Sequence, residues 1–171
     1  MKAEIALFNP KYPHNVGGAI RACSCWGLEK LIWSGKRVPH PEEWAESELQ
    51  EFRIPREERM KGYSEVQLIR SDNFKKIISQ NDVIPICVEL AVGTENLFDF
   101  EHPDNALYIF GPEDGSIPGT IKQHCHRFIQ IPTRHCLNLA CAINVVLGHR
   151  SHQIYMNTGR CEELTEHRGS L

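Results

Sequence analysis

Leu107-Tyr108-Ile109-Phe110-Gly111-Pro112-Glu113-Asp114-Gly115-Ser116-Ile117-Pro118 is the stretch on which the fold turns. Four apolar residues in a row, without alternation, are the pattern of a strand buried on both faces. The strand stops at Gly111, turns through a pair of carboxylates, and the chain restarts as a helix at Pro118, whose fixed φ suits a first turn. Strand, tight turn and helix form the unit of parallel sheets, in which ligands sit beyond the carboxyl ends of the strands. The turn is not a G-x-G-x-x-G dinucleotide loop and carries no phosphate-loop lysine. Its Gly, Pro and Asp content alone would make a tight turn. Two acids at the ligand-binding edge point further, to partners such as a ribose hydroxyl or a cationic ligand.

Working outward, short apolar runs recur at residues 5–8, 31–33, 66–69, 83–88 and 128–131, with helical patterns over 15–26, 73–78, 117–123 and 137–149 between them. This alternation predicts an α/β fold, a mostly parallel sheet flanked by helices on both faces. The pattern over 137–149 is apolar nearly all round, which predicts a helix buried in a core or a subunit interface. Residues 35–62 are proline-dotted and charged, an excursion off the sheet with a short helix expected around 42–51. Apolar periodicity fades after about residue 151, and the last ten residues, 162–171, are expected to fray.

The length of 171 residues fits one domain spanning 1–171. The chain is 41% apolar and 24% charged, ordinary values for a globular protein. No run approaches the roughly 20 apolar residues of a membrane span, and the amino terminus turns polar too soon for a secretion signal. Seven cysteines with no export signal read as reduced thiols of a cytoplasmic protein. Cys23-x-Cys25 and His124-Cys125-His126 lack the spacing of paired zinc ligands, so no metal is expected. The net charge of −3 argues against a broad surface that coats nucleic acid. Arg53, Arg56, Arg59 and Lys61 leave room for a local basic strip.

Two further loops follow strand candidates. After the opening strand comes Asn9-Pro10-Lys11-Tyr12-Pro13-His14-Asn15-Val16-Gly17-Gly18-Ala19-Ile20-Arg21. Asn15 reads as a helix N-cap, and Gly17 and Gly18 permit close approach of backbone or ligand. Arg21 falls close to two turns further along, roughly on the Asn15 side, where a guanidinium can grip a phosphate. A capped helix with a surface arginine is the plainer reading. The other loop is Ile131-Pro132-Thr133-Arg134-His135-Cys136-Leu137-Asn138-Leu139. Left unpaired in a buried place, the Asn138 amide would cost roughly 1–3 kcal/mol, so it is expected to bond backbone or ligand.

Together the three segments resemble the three motifs of SpoU/TrmH-type RNA ribose methyltransferases of the SPOUT superfamily. The first is similar to that family's Asn-x-Gly-x-x-x-Arg stretch, the second to Phe-Gly-x-Glu-x-x-Gly/Ile-Pro, the third to Ile-Pro, a loop, then Ser-Leu-Asn and a small apolar helix. The resemblance implies a SPOUT fold whose carboxy-terminal part is threaded into a trefoil knot, and an obligate homodimer. It implies S-adenosyl-L-methionine as cofactor, held bent by backbone at Val88, Glu89, Gly111 to Gly115, Ile131, and Cys136, Leu137 and Leu139. It also implies site roles for Arg21, Asn15, Glu113 and Asn138. Two positions depart from the pattern. Cys136 stands where serine is usual, replacing a hydroxyl with a weaker donor, and Gly18 stands where asparagine often follows the glycine.

The expected reaction is transfer of a methyl group to a ribose 2′-hydroxyl of RNA, with tRNA as first substrate class and rRNA as second. The family's base is held to be the motif-one arginine, here Arg21. Because guanidinium keeps its proton in proteins, clamping the neighbouring phosphate is the role assigned to it. Two other readings stand beside this one. One is a non-catalytic RNA-binding protein, hinted at by Cys136; the other is a base methyltransferase, for which Asp114 would be the carboxylate.

Overall fold

The computed structural model describes residues 2–38, 65–79 and 82–162. Seven strands form one sheet: β1 (Lys2–Leu7), β2 (Lys30–Trp33), β3 (Gln67–Arg70), β4 (Ile84–Val88), β5 (Glu95–Asn96), β6 (Asn105–Phe110) and β7 (Arg127–Gln130). Their order across the sheet is β3-β2-β1-β6-β4-β7-β5 and every pairing is parallel. The chain winds outward from β1 to β2 and β3 on one side, and the remaining strands lie on the other. The order of the sheet therefore reverses between β1 and β6, the kind of switch point at which parallel sheets open a crevice.

Among the described residues four α-helices cover the sheet: α1 (Pro13–Cys25), α2 (Phe74–Ile78), α3 (Gly119–Lys122) and α4 (Leu139–Thr158). Alternate strand residues divide between the two faces, as the two-residue period of a strand demands. Ile5, Leu7, Leu31, Trp33, Ile86, Tyr108 and Phe110 pack with α1 and α4. Ala6, Ile32, Cys87, Leu107 and Ile109 pack with Phe74 and Ile78 of α2 and with Ile121 of α3. Both faces are covered, which is why the strands read as continuous apolar runs.

The structure corrects several expectations. Asn15 is not an N-cap: the cap is Tyr12, and Pro13 begins the helix, its missing N–H costing nothing there. Asn15 lies inside the first turn and is buried. Helix α4 runs nine residues past 149, to Thr158, and stops at Gly159 in the left-handed conformation (φ 70°). Beyond Leu147 most of its residues are half-buried or exposed, so hydrophobic periodicity could not mark its end. Strand β5 is two residues long, too short to leave a pattern. The helix expected at 42–51, the basic strip at 53–61 and nearly all of the expected frayed terminus lie outside the described residues. None of the helices among the described residues is long and apolar enough to cross a membrane.

One charged residue of α4 is deeply buried, and among the described residues it pairs with no carboxylate. Arg150 donates to the carbonyls of Pro103 (2.6 Å), Asp104 (2.8 Å) and Lys2 (3.5 Å), so it fastens the amino-terminal ends of β1 and β6 to α4. It also donates to the Tyr108 hydroxyl at 3.4 Å. The Tyr108 hydroxyl in turn lies 2.5 Å from His102 Nδ1, and His102 Nε2 lies 2.9 Å from His149 Nδ1, so guanidinium, phenol and the two imidazoles form one hydrogen-bonded chain. Burial, then the nearby His149 and Arg150, pushes the His102 pKa down to about 3. Burial likewise lowers that of His149.

A histidine held neutral in the fold but free to protonate when unfolded stabilises fully above the unfolded value of about 6.5, and its contribution drains away as pH falls toward 3. The melting temperature is therefore expected to drop between pH 7 and pH 4. In His102→Gln that drop becomes shallower, as thermal melts by circular dichroism across the range will register. An equal slope in both proteins would refute this account of His102.

Candidate active site

Beyond the carboxyl ends of β4, β6 and β7 lies a cavity of 570 Å³. Its walls are three separate turns: the entry to α1 at Tyr12 to Asn15, the β6–α3 turn, and the β7–α4 loop. Val88 and Glu89 at the end of β4 close a fourth side. Asn15, Val88, Glu89, Gly111, Glu113, Gly115, Ile131, Cys136, Leu137, Asn138 and Leu139 all line it. Arg21 does not; it sits on the exposed side of α1. Tyr12, His14, Leu90, Ser116 and Thr133 line it as well and were not singled out from sequence. Tyr12 and His14 stack face to face, with centroids 5.3 Å apart and planes 17° from parallel. Their place in the quoted first loop was the available signal.

The turns are joined by a chain of polar groups. Glu113 of the β6–α3 turn accepts from the Lys11 backbone N–H (2.8 Å) and from Asn15 Nδ2 in a short hydrogen bond. Asn15 Oδ1 accepts from Asn138 Nδ2 at 2.8 Å. Asn138 Oδ1 then caps α4, accepting from the N–H groups of Ala140 (2.9 Å) and Cys141 (3.4 Å). The carboxylate can only accept and the capped N–H groups can only donate, so both amides are oriented without ambiguity. Asn138 thus fills both roles open to it, structural cap and tie between loops.

The remaining carboxylates at this edge are also engaged. Glu89 accepts from the Ile117 N–H at 3.0 Å and pairs with Lys122 at 3.2 Å, pinning the β6–α3 turn to the end of β4. That turn is tight: a Cβ on Gly111 would lie 3.1 Å from Ile117 Cγ1. Asp114 does not line the cavity. Arg37 grips both its oxygens (2.9 and 3.0 Å) and Lys11 Nζ lies 3.3 Å away. The Arg37 hydrogen bonds, and secondarily Lys11, hold the Asp114 carboxyl below its ordinary range. Cys136 is exposed beside the cavity.

An enclosure of this size, apolar along Val88, Ile131, Leu137, Leu139 and Ala142 and rimmed by exposed loop backbone, suits a nucleoside-sized ligand. Among the described residues no three His, Cys, Asp or Glu side chains gather to hold a metal ion.

Comparison with known proteins follows the same lines. The fold is similar to that of an rRNA methyltransferase from Sinorhizobium meliloti, also solved with AdoMet bound (18% identity, TM-score 0.70, 90% of this chain and 56% of that one). It is similar to the TrmH/SpoU tRNA modifying enzyme of A. aeolicus (17% identity, TM-score 0.74, 91% and 77%). A third structure, from work on 2-OH methylation of C/U34 on tRNA, shares 18% identity with a TM-score of 0.70 over 93% of this chain and 98% of that one. The chain thus spans little more than half of the S. meliloti protein but nearly all of the third. Among curated proteins none matches by sequence. The SpoU rRNA Methylase family matches residues 2–148, and with the three motifs converging on one cavity the chain belongs to that family.

Proposed function

We propose that this chain is an S-adenosylmethionine-dependent methyltransferase acting on the ribose 2′-hydroxyl of RNA, with tRNA as its substrate class, working as a cytoplasmic homodimer. The observation that carries the choice of ribose over base is the state of the carboxylates. Glu89, Glu113 and Asp114 are all engaged by donors of the protein itself, and Asp114 does not line the cavity. Among the described residues beside the cavity, no acid is left to address a ring nitrogen. The three-motif pattern and the likeness to a tRNA C/U34 enzyme of matching length support the substrate class.

When bound, the sulfonium supplies an electrophilic methyl group and departs as a neutral thioether. The residues of the chain have the tasks of binding and alignment. Val88, Ile131, Leu137 and Leu139 would bury the apolar parts of the cofactor. Backbone groups of Gly111 to Gly115 and of Cys136 to Leu139 would take its polar edges, so the loss of a serine hydroxyl at 136 is tolerable. Asn15, Glu113 and Asn138 hold the three turns at fixed separation. Arg21 clamps the phosphate next to the reacting ribose, and the hydroxyl proton leaves to that phosphate or to solvent. The same reading includes a threaded carboxy-terminal part. It is supported by β7 lying between β4 and β5, while α4 leaves it to pack on α1.

Arg21 lies outside the cavity of its own chain, which fits a dimeric enzyme. The α4 face left open by the fold exposes Val145 (36%), Tyr155 (50%) and Met156 (68%), with Phe98 (65%) beside it. A second copy on this face would also stand near α1, so Arg21 of one protomer can serve the cavity of the other.

Incubation with tRNA and labelled cofactor, followed by nucleoside mass spectrometry, is expected to yield a 2′-O-methylated nucleoside; a base-methylated product would refute the reading. Arg21→Ala is expected to lose at least a hundredfold in methylation with cofactor affinity changed less than threefold by calorimetry. Asn15→Leu breaks the joint between the turns: a loss of about 1–3 kcal/mol in denaturant melts is expected, with cofactor affinity at least tenfold weaker. Mixing Arg21→Ala with a cofactor-site variant such as Gly111→Val tests the shared site. Activity recovered in the mixture supports it, and two inert proteins that stay inert when co-expressed as heterodimers refute it.

A further inference from the structure

A second hollow opens at the same sheet edge, on the other side of the switch point. It has a volume of 660 Å³ and lies beyond the carboxyl ends of β1, β2 and β3. Phe8, Phe74 and Ile121 give it an apolar floor, the two rings meeting edge to face at 5.6 Å. Ser34, Asn73 and Lys75 supply polar groups around it.

Three observations mark it as a built site. Ser34 is 95% buried, and its hydroxyl accepts from the Asn9 N–H at 3.1 Å, yet among the described residues no acceptor takes its own proton. A buried donor without a partner is uncommon and usually awaits one. Next, Asn9 is the single non-glycine residue with positive φ (49°) among those described, a conformation that costs energy and gathers at functional positions. Lastly, Gly35 opposite it has φ 86°, and a Cβ there would come within 2.2 Å of Asn9 Oδ1, so the wall tolerates no larger residue. Arg37 locks this arrangement by donating to the Asn9 side chain (3.2 Å) and to its carbonyl.

The ridge between the two hollows carries Lys11 and Arg37, each partly exposed and held by Asp114. We propose that the second hollow takes the nucleobase of a nucleotide flanking the methylated one, so that the strand crosses the cationic ridge with a phosphate on it. The inference rests on the chain acting on RNA. The apolar floor suits the faces of a planar base. The Ser34 hydroxyl proton and the Asn73 side-chain nitrogen can bond its edge, and Asp72, which also pairs with Arg70 at 3.7 Å, can accept from an exocyclic amino group. Lys75 stands at the rim for a phosphate. The cofactor cavity would then set the chemistry while this hollow reads sequence context.

The probes are the four ribonucleoside 5′-monophosphates, added to labelled protein saturated with S-adenosylhomocysteine and followed by amide NMR. With the first cavity filled, shifts are expected at Ser34, Gly35 and Lys75, for some bases more than others, and they weaken in Ser34→Ala and Lys75→Glu. In turnover, the two variants are expected to raise KM for tRNA about tenfold while kcat stays within threefold and cofactor affinity is unchanged. Shifts confined to the first cavity, or variants whose KM matches that of the unmodified protein, would overturn the proposal. A protein that binds no S-adenosylhomocysteine at all would instead overturn the methyltransferase reading, so the two failures are separable.

Discussion

One buried amide holds the functional edge of this protein together. Asn15 donates to Glu113 and accepts from Asn138, so one side chain spans turns that stand 98 and 123 residues away in the chain. An amide is suited to that position because it offers a donor and an acceptor on opposite sides. Aspartate there would set a second carboxylate against Glu113, and leucine would strand two polar groups in a site shielded from water. The capping of α4 depends on the same joint, because the oxygen of Asn138 faces the helix only while its nitrogen faces Asn15. The position of the third turn and the start of the last helix are therefore one decision.

The electrostatics follow a similar economy. The carboxylates near the cavity are all saturated by donors from neighbouring segments: Glu113 by a backbone N–H and an amide, Glu89 by a backbone N–H and Lys122, Asp114 by Arg37 and Lys11. They serve as fasteners that keep flexible turns in register. What this leaves exposed to a ligand is chiefly backbone and apolar surface, an environment that binds an organic cation by shape and backbone polarity. At the opposite end of the sheet Arg150 does comparable work, gathering three carbonyls.

Much of this was legible beforehand because it is written in contiguous runs. The six strand candidates each overlap an observed strand, five with both ends within two residues and the first starting three residues late, since strands covered on both faces cannot hide their apolar character. The three motifs and the resemblance they carry named twelve site residues, and eleven of them, all but Arg21, meet in one cavity. What escaped was information that sequence carries only in pairs of distant residues. Asn15 looked like a cap because asparagine near a helix start usually is one; only the arrival of Glu113 and Asn138 makes an interior place better for it. The length of α4 escaped because its last turns are half exposed, and the roles of Lys11 and Arg37 because an exposed cation has no signature until its acid is known. Arg21 is expected on the Asn15 side of α1, but six residues turn the helix by roughly 600°, which leaves it about 120° from Asn15, so Asn15 is buried while Arg21 is exposed.

The place of β5 bears on how the molecule comes to be assembled. Its two residues pair with β7 alone, although they precede it by some thirty positions. While a ribosome is extending the chain, Glu95 and Asn96 emerge before their partners Ile129 and Gln130 exist. Contacts that must wait for a distant segment make for slow maturation. The outer rim of the sheet thus belongs to the non-local part of the fold, and it shares its partner strand, β7, with the turn that leads into α4.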